Sequence, residues 1–124
     1  MAKKNVLYGD AGRLKMLEGI KKLHEAVAST LGPNGRNVVF SKSYGAPQVT
    51  NDGVTIAKEF DLEDPVENMG AELIKDVASK TNDAAGDGTT TATVLTYAMI
   101  SEGLREIRSG INAIELKNGM KLAA

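Results

Sequence analysis

The 124-residue sequence has no cysteine, no tryptophan, a single histidine and only 4% aromatic residues. Without cysteine there is no disulfide and no thiolate metal site, which is compatible with a reducing compartment. One histidine, His24, leaves neither a histidine metal cluster nor a Ser-His-Asp relay anything to build on, and its place at the edge of an apolar stripe makes it a packing residue. Scarce aromatic rings put the core on Leu, Ile, Val, Met and Ala, the composition of helical interiors. Fifteen basic residues against sixteen acidic ones give a net charge of -1. No basic block exceeds the pairs Lys3-Lys4 and Lys21-Lys22, so nucleic acid is not an expected partner. No apolar run reaches signal-peptide or membrane-spanning length; a cytoplasmic location and no membrane contact are expected. Neither Gly-x-x-x-x-Gly-Lys-Ser/Thr nor Gly-x-Gly-x-x-Gly after a strand occurs, so any nucleotide site is of another design.

What is present reads as one mainly helical domain. Asn5 to Tyr8 can pair as a short strand. Asp10 opens a helix with Leu17, Ile20, Leu23, Val27 and Leu31 on one stripe, and Gly32-Pro33 stops it. Asn37 to Ser41 and Gln48 to Thr50 form a small hairpin, marginal alone, which has to pack on helices or on another chain. Val54 to Phe60 suits either a strand or a short helix. Asp64-Pro65-Val66-Glu67 is a strong helix start, and Val66, Met69, Gly70, Leu73, Ile74, Val77 and Ala78 supply its buried face, with the end near Asn82. A further helix carries Val94, Leu95, Ala98, Met99 and Ile107 to Gly110 and pairs with its predecessor as a hairpin. Asn112 to Glu115 caps another that still runs at Ala124, so the chain reads as part of a longer design.

Gly86-Asp87-Gly88-Thr89-Thr90-Thr91 is where chemistry concentrates. Locally it reads as an Asp N-cap before a threonine-rich helix surface. It also reads as an anion site, because the first turn of a helix offers unpaired N–H groups and partial positive charge, and glycine lets a ligand approach. Asp87 would repel a phosphate unless a divalent cation lay between them, which points to magnesium and a nucleotide. Asn51-Asp52-Gly53 reads locally as a turn.

Thr30-Leu31-Gly32-Pro33-Asn34-Gly35-Arg36-Asn37, Asp52-Gly53-Val54, Glu67-Asn68-Met69-Gly70-Ala71 and Ala84 to Thr93 together resemble the group I chaperonins, the GroEL family, from Lys3 to Ala124. The resemblance implies the N-terminal part of an equatorial, nucleotide-binding domain, with the apical and intermediate domains lying outside residues 1–124. It implies an ATP-dependent folding chaperone that assembles into a homo-oligomeric ring and serves unfolded client proteins with a co-chaperonin. Thr30, Leu31, Gly32 and Pro33 would line the nucleotide, Asp87 would hold Mg2+, and Gly88, Thr89, Thr90 and Thr91 would cradle the phosphates. Asp52 would face the terminal phosphate and orient the attacking water. The hairpin and the N-terminal strand would pair across ring neighbours. Asn51 and Asn34 stand where many members carry lysine, which removes positive charge near the phosphates. The 124 residues alone are expected to lack turnover, and a truncated helical interaction module that keeps the fold without turnover is the alternative.

Overall fold

A computed structural model describes residues 7–41 and 44–124. Among these, five helices surround one small core, with a two-stranded antiparallel ribbon beside them. Helix α1 spans Gly9–Ala28. Its entry lies at Gly9, whose φ of 65° suits glycine; Asp10 therefore sits inside the first turn and is not the N-cap. Of the expected Asn5 to Tyr8 strand, Asn5 and Val6 lie outside the described residues, and Leu7 and Tyr8 join no strand among the described residues, although the Tyr8 backbone is extended. The helix also ends at Ala28, three residues before Leu31. There the Thr30 and Leu31 N–H groups donate to the Val27 and Ala28 carbonyls, three residues back, each at 3.1 Å. The Ser29 and Thr30 hydroxyls donate to the Ala26 and Val27 carbonyls at 2.7 Å, so local side-chain bonds tighten and end the helix before the glycine is reached.

Strands β1 (Val38–Phe40) and β2 (Gln48–Thr50) pair with Val39 opposite Val49. Val38 and Phe40 turn toward the helices, whereas Val39 and Val49 stand exposed on the other face. The ambiguous stretch after them is helix α2, Gly53–Glu59, because the Asp52 carboxylate caps it by accepting from the Thr55 N–H at 3.0 Å. Helix α3 spans Pro65–Ala85 and starts where the sequence places it: Asp64 Oδ1 accepts from the N–H groups of Val66 at 2.9 Å and Glu67 at 3.1 Å. It runs past Asn82 to a left-handed Gly86, whose N–H donates back to the Asn82 carbonyl at 2.7 Å. Helix α4 is Thr89–Arg108 and α5 is Ala113–Ala123, the latter capped by Asn112.

The core joins Ile20, Leu23 and Val27 of α1, Ile56 and Ala57 of α2, and Ala71, Ile74 and Ala78 of α3. Burying each of the larger aliphatic side chains contributes about 1.5–3 kcal/mol. Two expectations from periodicity are corrected. Met69 and Leu73 are more than half exposed, Met69 only edging a cavity that it shares with Leu7 and Met16 of the α1 side. On α4 the buried positions are Thr89 and Thr93, with Tyr97 and Ile100 packed on the core, and Leu95 and Met99 face outward. The Thr93 hydroxyl donates to the Thr89 carbonyl at 2.9 Å, which makes its burial tolerable. His24 is a packing residue: its ring stacks on Tyr97 at 4.3 Å between centroids, and burial pulls its pKa down.

Helices α1 and α3 cross with almost no space between their backbones. A Cβ on Gly19 would overlap the Glu67 carbonyl, and one on Gly70 would overlap that of Met16. Ion pairs Lys15–Asp64 and Lys22–Glu67 flank this crossing. The Lys15 ammonium, with the Glu67 N–H next, holds the Asp64 carboxyl at about 2, below its ordinary 3.8. A carboxylate whose folded pKa is depressed adds stability that is present above the unfolded value and lost as pH falls through the folded one. Between pH about 4 and about 2 the native chain is therefore expected to lose thermal stability relative to Asp64→Asn, a difference readable as converging melting midpoints.

Candidate functional site

The turn between α3 and α4 is only three residues long, Gly86-Asp87-Gly88. Both glycines are left-handed, with φ of 67° and 80°, which reverses the chain and sets the start of α4 beside the end of α3. The first helical bond of α4 runs from the Ala92 N–H to the Gly88 carbonyl at 2.9 Å. The N–H groups of Thr89, Thr90 and Thr91 consequently have no helical partner, and no side chain among the described residues caps them. Asp87 is not the N-cap that its local sequence suggests; Gly88 is. Among the described residues, the Asp87 carboxylate accepts only its neighbour's N–H, from Gly88 at 2.7 Å, and it is otherwise exposed.

Facing this turn is the start of α2. The Asp52 carboxylate accepts from the Thr55 N–H at 3.0 Å and from the Thr55 hydroxyl at 2.5 Å. The Thr55 hydroxyl is the main cause that lowers its pKa; partial burial opposes it, and the Thr55 and Val54 N–H groups and Lys58 add to the lowering. Asp52 is thus ionised at neutral pH and a weak base, suited to orienting a water and placing negative charge rather than to removing a proton. Leu31, half exposed in the turn after α1, closes a third side.

These segments enclose a cleft of ≈ 280 Å³. Of the residues singled out from the sequence, it gathers Leu31, Asp52, Asp87, Gly88, Thr89, Thr90 and Thr91. Thr30, Gly32 and Pro33 do not line it: the Thr30 hydroxyl is bonded to Val27, and Gly32 accepts from the Gly35 N–H at 3.0 Å within its own turn. Asn51, Gly53, Asn82 and Gly86 also line the cleft. Asn51 was legible only as a missing lysine, and Asn82 only once α3 is known to run one turn further, to Gly86.

Chemically the cleft combines two carboxylates, three unpaired backbone N–H groups and no lysine or arginine among its described lining residues. That set suits an anion whose charge is shared with a divalent cation. No group of three or more His, Asp or Glu among the described residues could hold a metal, so a cation at Asp87 would take its other ligands from the anion and water. A larger cavity of ≈ 490 Å³ lies between α4 and α5, lined mostly by Met, Ile, Leu and Ala side chains; it is apolar and lacks the unpaired N–H groups that distinguish the cleft.

The model of the TCP-1/cpn60 chaperonin family matches residues 23–124. Among solved structures, the crystal structure of a group III chaperonin in the open state is similar with a TM-score of 0.78 and 34% sequence identity, over 91% of this chain and 22% of that one. The chain thus spans about a fifth of the length of that structure.

Proposed function

Since the chain belongs to the TCP-1/cpn60 chaperonin family, we propose that its cleft binds Mg-ATP as the nucleotide site of an ATP-dependent folding chaperone. The observation that carries this reading is the meeting of the Asp87 carboxylate with the three unpaired N–H groups of Thr89, Thr90 and Thr91 in one cleft. Bound magnesium would neutralise phosphate charge. Asp87 holds it, the first turn of α4 receives the phosphate oxygens, Leu31 packs against the ligand, and Asp52 orients the attacking water. Thr30, Gly32 and Pro33 shape the turn that presents Leu31. The motifs Thr30 to Asn37 and Ala84 to Thr93 favour the group I branch. Ring assembly in the cytoplasm, client proteins and a co-chaperonin belong to the same proposal.

Calorimetric titration of the chain with ATP tests it. Binding is expected with magnesium and none once the metal is chelated. Steady phosphate release is not expected from these residues by themselves, because the hydrogen bond from Thr55 makes Asp52 a weak base and, among the described lining residues, the only other carboxylate is Asp87, the proposed metal ligand. A non-enzymatic interaction module draws support from the apolar cavity between α4 and α5, and failure to bind Mg-ATP would favour it.

A further inference from the structure

We propose that Gly53 is a positioning residue of the cleft: by lacking a side chain it lets the start of α2 close on Thr90 and so sets how near the Asp52 carboxylate lies to the first turn of α4. The inference rests on the nucleotide reading of the site. Gly53 is buried and opens α2. It is not among the glycines with positive φ, so its backbone conformation is open to any residue. Helix preference alone would favour alanine there. What opposes alanine is one contact: a Cβ would lie 2.5 Å from Thr90 Oγ1, whereas the Thr90 nitrogen and Val27 Cγ1, each at 3.5 Å, would be in ordinary contact.

These neighbours can yield little. Thr90 is β-branched and sits in a helix, where its χ1 is largely confined to two rotamers, so its hydroxyl has one alternative position. Val27, fully buried in the core and in ordinary contact at 3.5 Å, leaves the new methyl no free space on the α1 side. The element able to move is the start of α2, and Asp52 is joined to it directly. A side chain at 53 would therefore push Asp52 away from the threonines that face the ligand, without removing any group that touches the ligand. Positioning errors of this kind cost binding and reactivity even when every contact group is retained.

A double-mutant cycle on the full chain tests this, with the dissociation constant of Mg-ATP read by calorimetry and folding followed by circular dichroism. Gly53→Ala is expected to weaken binding by about tenfold or more in the native background and by no more than about twofold in a Thr90→Ala background, where the added methyl has room. An equal factor in both backgrounds overturns the proposal, as does undiminished binding by Gly53→Ala. If Gly53→Ala fails to fold while Gly53→Ala/Thr90→Ala folds and binds, the close approach to Thr90 is again the cause; failure of both to fold overturns it. A native chain that binds no Mg-ATP removes the nucleotide reading and this inference with it, whereas binding without coupling between 53 and 90 removes the inference alone.

Discussion

Asp87→Ala abolishes magnesium-dependent nucleotide binding while leaving helical content nearly unchanged; that is the expected result for an exposed carboxylate proposed as the metal ligand. The structural cost is small because Asp87 does not cap α4. Its one hydrogen bond among the described residues is from the adjacent Gly88 N–H, and even a true capping side chain is worth only about 1 kcal/mol. The binding cost is large because Asp87 is the carboxylate placed beside the unpaired N–H groups, and the other carboxylate, Asp52, is already committed to Thr55. Calorimetry with and without a chelator, alongside circular dichroism, measures both. A mutant that binds Mg-ATP as the native chain does would dismiss Asp87 as the metal ligand.

Gly19→Ala and Gly70→Ala are each expected to destabilise the chain, against the direction that helix propensity predicts. Replacing an interior helical glycine by alanine gains about 1 kcal/mol where nothing intervenes. Here each new methyl would overlap a carbonyl of the partner helix. Overpacking costs about 1–3 kcal/mol when side chains can adjust, and more is expected when the obstacle is backbone. The net effect should be a loss, measured as a lower midpoint of chemical or thermal unfolding. Because both substitutions open the same crossing, the double variant should lose less than the sum of the singles. Gly119→Ala is the control: it lies inside α5 with nothing within 4 Å, and it should be neutral or stabilising. Equal behaviour at positions 19, 70 and 119 would mean that the two helices do not approach as closely as described.

Where local chemistry decides, the sequence was readable. Asp64 and Pro65 announce the start of α3 because a carboxylate two and three residues before unpaired N–H groups acts over a few ångströms of chain. The end of α1 was misread because its stop is made by the Ser29 and Thr30 hydroxyls, not by Gly32-Pro33. Periodicity marked Met69, Leu73, Leu95 and Met99 as inward because they are apolar and spaced for a helix, but which stripe is covered depends on the partners present, and here Thr89 and Thr93 take the buried side of α4. The site was legible as segments and not as a surface. Asp52 and Asp87 could each be singled out by motif, and the family resemblance set them around one nucleotide, but that Asn82 and Gly53 join them and that Thr30 turns back to Val27 are consequences of packing that the motifs do not carry.

The glycine crossing of α1 and α3 also has a temporal meaning. Helices α3 and α4 are joined by three residues and can pair at little entropic cost, so Gly86 to Thr91 belong to a unit built from local contacts. Seating α1 on α3 instead brings together residues 45 and 49 positions apart, as in Lys22–Glu67 and Lys15–Asp64, and the entropy lost in closing a loop rises with its length. Asp52 lies inside that loop. One wall of the cleft is therefore set by an early hairpin and the other by the late closure of the chain around it. A ligand gripped by both walls would act as a clasp on that closure, slowing the detachment of α1 and α2 as well as the opening of the α3–α4 turn that supplies its other contacts.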